Sequence, residues 1–318
     1  MTSKNAKNTT KRKHDGIFGT PPEPVFNASP SAMTPEMLED WLRILVSQNE
    51  QRMLKANVAH GYFKSGDAVQ FVFLTCEHFK LADEAKYIAV ELFDSFMVRH
   101  ITDLWCEVKE MKISKEEKKK RWKEIRVGVE RQMVIRVVSC CQLASKLTSH
   151  YKIISPRRVK KFLQEFVNQR YSADSIMQSE LRILKALEYK VMISSPLLYV
   201  ETLLEVLGHT EPDLSVKVYH GVGLKVMDLV YIQRREIYDL LFLTALEQDT
   251  ISETDRNKCI SLEYDMFLLS SSVISAASYV VDQTNTDKVI DHLSQITKIP
   301  TSDILDFATV IVQHILQI

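Results

Sequence analysis

The 318-residue chain balances 41 Lys and Arg against 41 Asp and Glu, and 45% of it is hydrophobic. Zero net charge argues against a general polyanion binder, because phosphate binding needs a cationic excess, and the length supports one large or two medium globular domains. Only 8 Gly and 9 Pro, beside many Leu, Lys, Glu and Met, point to an all-α protein, while the lack of an 18-residue apolar run or an N-terminal apolar h-region predicts neither a membrane span nor a signal peptide.

Residues 1–33 are polar and rich in turn formers, and read as a disordered tail. Lys11-Arg12-Lys13 within it is either a short nuclear-import signal or a solvated charge run. Thr20-Pro21 and Ser29-Pro30 are Pro-directed phosphorylation dipeptides of a kind that also arises by chance. Thr34-Pro35-Glu36 is a helix start: a capping hydroxyl, a proline suited to the first position, an acid at the positive end. Met37, Leu38, Trp41, Leu42 and Leu45 then recur at spacings of three and four, predicting an amphipathic helix to about residue 56, with a linker to 63.

Helices are predicted at about 67–79 and 82–97. The stretch 109–126, KEMKISKEEKKKRWKEIR, holds nine basic and four acidic residues around Trp122. It reads either as an aromatic-interleaved nucleic-acid segment or as a solvated helical insertion laced by Glu–Lys pairs. Its candidate cationic surface comprises Lys118, Lys119, Lys120 and Arg121, joined by Arg157, Arg158, Lys160 and Lys161 further on.

The helix predicted at about 127–148 is apolar and small-residue rich, yet ends with Lys146. On a wheel of 100° per residue Lys146 shares a polar stripe with Ser139 and Gln142. The lysine either snorkels to water or meets something outside the helix. Cys140 and Cys141 are neighbours about 100° apart, poorly placed to grip one metal. With Cys76, Cys106 and Cys259 they read as core-filling thiols of a reducing compartment, and no metal or other cofactor is expected.

Short helices follow at about 155–169 and 173–190. On the second, Ile176, Leu187, Val191 and Leu184 define an apolar face, and Glu180 falls at its centre. A buried, unpaired carboxylate there would cost several kcal/mol, on the order of the known penalties for buried charge. Glu180 therefore pairs with a cation, lies at the rim of a surface another molecule covers, or sits on a helix end that stays wet. Ser194-Ser195-Pro196 breaks the pattern. Beyond it come PLLYVETLLEVLG, a long helix from about 213, the small-residue helix YDMFLLSSSVISAASYVV, DKVIDHLSQIT and PTSDILDFATVIVQHIL. Each half thus has about five helices around a Ser/Ala/Cys-rich one, and the second reads as a degenerate repeat of the first.

The order of LASKL at a helix end, a Pro-containing turn, a short helix and SELRILKALEYKV resembles the first box of the cyclin family. KLADEAKYIAVELFDSFM at 80–97 is similar to that family's second box helix, with Asp94-Ser95-Phe96-Met97 in place of D-R-F-L. The resemblance implies two tandem five-helix bundles, a first box over 64–193 carrying the insertion 109–126, and a second cyclin-like bundle over 194–318. It implies that Lys146 and Glu180 grip the backbone around the regulatory helix of a cyclin-dependent kinase, with Leu147, Leu184, Tyr189 and Val191 supplying apolar contact. Phrases such as VSCCQLASKL, KIIS and QNEQ are similar to a meiotic branch of the family. That implies a role in maturing recombination intermediates into crossovers, beside a kinase and recombination or replication-clamp-loading factors, in the nucleus on chromosomes, with the cytoplasm as the alternative location.

Three departures accompany the matches. Lys64-Ser65-Gly66-Asp67-Ala68 stands where cyclins carry M-R-A-I-L, so Asp94 is expected to lack its arginine partner. The substrate-docking patch becomes Lys64, Ala68 and Phe71, and no affinity for R-x-L peptides is expected. Thr148-Ser149 replaces an acidic pair at the kinase-facing rim, followed by Pro156-Arg157-Arg158-Val159-Lys160-Lys161. An enzyme is not expected, since no H-E-x-x-H, phosphate-cradling Gly loop or Cys/His ligand spacing occurs. The competing class is a tandem cyclin-fold protein that binds nucleic acid or acts as a scaffold, like general transcription factors, though the zinc-ribbon cysteines those carry do not occur here.

Overall fold

Helix α1 (Pro35–Leu54) begins as the sequence predicts: the Thr34 hydroxyl accepts from the Met37 amide at 3.4 Å, with proline in the first turn. The computed structural model describes residues 26, 34–57, 59–149, 152–248 and 250–316. The predicted disordered tail, with its charge run and both phosphorylation dipeptides, otherwise lies outside those residues. Phe26 departs from the tail reading, because its ring packs on His220 at 5.4 Å between centroids.

The first bundle comprises α2 (Gly66–His78), α3 (Asp83–Glu110), α5 (Met133–Thr148), α6 (Pro156–Phe166) and α7 (Ala173–Ala186), with α4 (Lys115–Glu130) inserted before its central helix. The second comprises α8 (Pro196–Thr210), α9 (Val216–Ile232), α12 (Met266–Val281), α13 (Thr286–Thr297) and α14 (Thr301–Leu316), with α10 (Arg234–Leu246) and α11 (Glu253–Cys259) inserted at the corresponding place. No strand occurs among the described residues. No single described helix is long and apolar enough to cross a membrane. The one bent pair of adequate composition ends in α12, whose residues from Met266 to Ser278 are buried in the second bundle.

Small residues make α5 and α12 central. Both are sixteen residues long, and Ser139 and Cys140 in one, like Ser272 and Val273 in the other, are fully buried. Ser145 donates to the Gln142 carbonyl at 2.7 Å, and its counterpart Ser278 donates to the Ser275 carbonyl at 2.9 Å. In α7 and α14 the fourth and eleventh residues, Ile176 and Ile183 against Ile304 and Ile311, are all fully buried. The same burial pattern therefore recurs in these helices of both bundles.

Four boundaries differ from the sequence reading. The helix predicted to end near 97 runs on to Glu110, so 109–126 is not one segment but the end of α3, a turn, and α4. Ser114 and Glu117 close that turn with a reciprocal capping box. The helix predicted from 127 breaks at Arg131–Gln132, and α5 starts at Met133. The long helix from about 213 breaks at Gln233 into α9 and α10. Finally, α7 stops at Ala186, four residues early, where Glu188 and Tyr189 take left-handed backbone (φ 52° and 60°). Val191 therefore lies beyond the helix, and its place on the helical wheel does not apply.

Helix α1 ties the two bundles together. The Trp41 indole donates to Thr202 at 3.2 Å, the Asn49 amide donates to Asp265 at 3.0 Å, and the Asn49 oxygen accepts from the Met266 amide at 2.7 Å, at the first turn of α12. Between the bundles, buried Glu91 on α3 takes Lys64 at 2.6 Å, Arg52 of α1 at 2.8 Å and the Tyr231 hydroxyl of α9 at 3.3 Å. Burial alone would raise this carboxyl's pKa; Lys64 and Arg52 outweigh it and hold the pKa below the usual carboxylate range. Tyr87 reaches across to Asp228 at 2.7 Å. At Gly66 the contact is closest, since a Cβ there would lie 2.9 Å from the Ile232 carbonyl oxygen.

Candidate functional site

The two charged side chains singled out from the sequence meet. Lys146, in the last turn of α5, forms an ion pair with Glu180 in the middle of α7. Their exposures are unequal: the lysine side chain is 42% exposed and the glutamate 11%. Of the three readings open for Glu180, the cation partner is the one observed. The polar stripe below Lys146 is buried rather than wet. Ser139 donates to Ser179 at 2.8 Å, and the Gln142 amide to the Ile154 carbonyl at 3.1 Å.

Helix α7 is set against α5 by a device the sequence reading missed. Buried Arg136 donates to the Ser179 hydroxyl at 2.7 Å, one residue before Glu180, and to Gln132 at 2.6 Å. Its guanidinium lies 5.8 Å from the centre of the Phe96 ring. Burial, and Arg182 after it, lower the Arg136 pKa to about 10. A cation in this otherwise apolar helix was the available signal.

The apolar residues flank the pair unequally. Leu147 is 37% exposed and Tyr189 62%, while Leu184 and Val191 are half-buried. Tyr189 is presented by the left-handed turn after α7, where its amide donates to the Leu184 carbonyl at 2.8 Å. Glu188 pins that turn by pairing with Arg99 of α3 and with Lys190 at 2.9 Å, and Lys190 and Arg99 lower its pKa to about 2. Leu147 and Val191 also open onto a cleft of about 590 Å³ walled by α1, α3 and α8, where Met192, 89% exposed, is an apolar neighbour the sequence reading did not name.

The candidate basic residues divide between two elements. On α4, Lys118 donates to the Lys109 carbonyl at 2.5 Å, Lys119 pairs with Glu116 and Arg121 with Glu124, and Lys120 is exposed. On α6, Arg158 stacks over the Phe79 ring at 5.1 Å, Lys161 pairs loosely with Glu165, and Arg157 and Lys160 are exposed. The two sets thus sit on different helices, α4 and α6. Asp94, expected to lack the arginine partner, accepts the Gly61 and Phe63 amides at 2.6 and 3.0 Å. Lys64, expected on a docking patch, is buried beneath Glu91. His78 packs among Phe79, Phe162 and Phe166, and His220 bonds Glu201 at 3.1 Å, both structural roles.

Two helical bundles, each wound around a small-residue third helix and carrying an A-S-K lysine on the first, define the class: tandem cyclin boxes. Residues 44–192 match the sequence profile of the cyclin N-terminal domain. Cyclin N-terminal domain-containing protein 1 of Mus musculus is 34% identical over 282 residues, covering 89% of this chain and 84% of the mouse protein. Its Homo sapiens counterpart is 33% identical over 279 residues, with 88% and 84% covered. The chain belongs to the cyclin N-terminal domain family, in the branch those two relatives represent.

Proposed function

We propose that this protein is a cyclin-like regulatory subunit that docks a cyclin-dependent kinase on the rim formed by Lys146, Leu147, Glu180, Leu184, Tyr189 and Val191. Family members are regulatory rather than catalytic, which supports a binding role. The observation that carries the reading is the Lys146–Glu180 pair, an ion pair at the edge of exposed apolar side chains. In the free chain the two groups satisfy each other. Against a docked helix, the ammonium group turns to a backbone carbonyl and the carboxylate to a backbone amide, while Leu147 and Tyr189 bury apolar area. Each such charged hydrogen bond contributes on the order of 1.5–3 kcal/mol.

The test is co-precipitation of purified cyclin-dependent kinases with the wild type and with Lys146→Glu. Charge reversal sets two carboxylates side by side and should abolish recovery; undiminished recovery sinks the assignment. Kinase activity measured with and without the protein then separates an activator from a scaffold, a distinction made pointed by Thr148-Ser149 and the α6 cations at the rim.

The cellular role proposed is nuclear and chromosome-associated: maturation of meiotic recombination intermediates into crossovers, beside recombination and replication-clamp-loading factors. Its support is the similarity to the two relatives. Counting crossovers in meiotic cells that carry only Lys146→Glu tests the role and its dependence on the rim together. A second reading, a scaffold or nucleic-acid-binding protein without kinase activation, is favoured by the exposed cations Lys120, Arg157 and Lys160. Steep salt dependence of DNA binding by the ordered region would support it.

A further inference from the structure

The last turns of α3 and the whole of α4 form an arm that projects from the first bundle. Helix α4 is sixteen residues long, yet none of its residues is buried. A solitary helix of that length is marginal in water; this one is held by its capping box and by the Trp105–Trp122 contact at 4.9 Å. Beside that contact lies a cleft of about 550 Å³. Phe63, Ile101, Val129 and Met133 line it with Trp122, and Tyr62, 80% exposed, stands at its mouth.

Charge is concentrated on the same arm. Residues 98–133 hold eleven Lys and Arg against seven Asp and Glu, in a chain whose total charge is zero. Around the α4 axis Lys115 lies about 20°, Arg126 about 40° and Lys119 about 60° from Trp122, so the cations border the aromatic side that faces the cleft. Arg126 itself lines the cleft, with Glu130 one turn further on. Among the described residues Lys115, Lys120, Lys123 and Arg126 have no carboxylate partner.

We propose that this arm is a docking site for an acidic, amphipathic peptide segment of a partner protein, which inserts an apolar side chain between Tyr62 and Trp122 and sets its carboxylates against Lys119, Lys123 and Arg126. The occupant follows from charge complementarity: an apolar floor bordered by cations takes an apolar anchor flanked by acids. A nucleic acid fits less well. Trp122 faces Trp105 and the cleft instead of standing free for stacking on successive bases. The arm carries neither Lys146 nor Glu180, so this site stands independently of the kinase reading.

The experiment uses the full chain and three fluorescently labelled probes. One is a 16-residue peptide with Leu and Phe at i, i+4 and i+7 among Glu and Asp; the second is its twin with Lys for each acid; the third is a 20-nucleotide single strand. The acidic peptide should bind saturably and more weakly as salt rises, and its Lys twin should not bind. Trp122→Ala and Arg126→Glu should each weaken it about ten-fold or more, the equivalent of about 1.4 kcal/mol, whereas Lys146→Glu should leave it unchanged. Arg126→Glu alters only an exposed side chain, so it keeps the test valid if Trp122→Ala unfolds the arm, and circular dichroism checks helicity in both. Failure of the acidic peptide to bind, tighter binding of the single strand, or indifference to both arm variants overturns the proposal.

Discussion

Lys146 and Glu180, 34 residues apart in the chain, form an ion pair in which the lysine is nearly half exposed and the glutamate almost covered. That asymmetry sets what the pair contributes. An ammonium group open to solvent gains little from a fixed partner, so the couple should add no more than about 1 kcal/mol to the stability of the free protein. A double-mutant cycle with Lys146→Ala and Glu180→Gln, read by urea unfolding, should show that small coupling. Kinase affinity of the same variants should fall much further. Equal effects on both readouts would make the pair purely structural.

Ser179 should matter more to the fold than its size suggests. Its hydroxyl takes hydrogen bonds from Arg136 and Ser139. Ser179→Ala leaves a buried guanidinium nitrogen without its acceptor, a loss of about 1–3 kcal/mol. Because Ser179 precedes Glu180, the same change should also weaken kinase recovery at temperatures where the fold persists. Ser179→Thr, which keeps the hydroxyl, should restore part of both.

Glu91→Gln tests the buried ionic centre. Removing this charge strands Lys64, and in part Arg52, away from water, and breaking a buried pair of this kind typically costs about 3–5 kcal/mol. Thermal unfolding should register a large drop. A shift of a degree or two would mean that Lys64 finds another outlet.

Glu188 gives a pH signature. Its folded-state pKa is lowered to about 2, so the stability it contributes is present above the unfolded-state value near 4.5, about the ordinary range for a glutamate, and is lost as pH falls toward 2. The stability difference between wild type and Glu188→Gln should therefore be constant above about pH 5 and vanish near pH 2. A difference that grows on acidification contradicts the Arg99–Glu188–Lys190 assignment.

Peptides of the R-x-L type should show no measurable binding. Lys64, which stands where cyclins place the methionine of their docking patch, is buried on Glu91. Micromolar binding in a calorimetric titration would show that another surface has replaced it.

Local features were legible from sequence. Glu180 fell on an apolar helix face and Lys146 at the end of a small-residue helix; these short-range regularities marked each residue, and the resemblance to the cyclin family joined them. The Thr34 cap and the Pro156 and Pro196 helix starts were equally local. The extension of α3 left a signal that was passed over, since Ile101, Leu104, Trp105 and Val108 keep helical spacing beneath the charges. Other features leave no periodic trace. Nothing near residue 49 indicates that its amide will cap a helix starting at 266, and the break at Gln132 involves neither Gly nor Pro. Contacts between distant segments decide both.

The stretch recognisable as a cyclin N-terminal domain stops at residue 192, but the contacts of Gly66, Tyr87 and Glu91 do not. Tyr87 and Glu91 are bonded to Asp228 and Tyr231, and Gly66 packs against the Ile232 carbonyl, all past that limit. The portion that the family profile matches is thus shorter than the portion that must melt together. Cutting the chain at the profile boundary would bare a seam of tyrosine and carboxylate, and the two boxes should lose their structure in one cooperative transition.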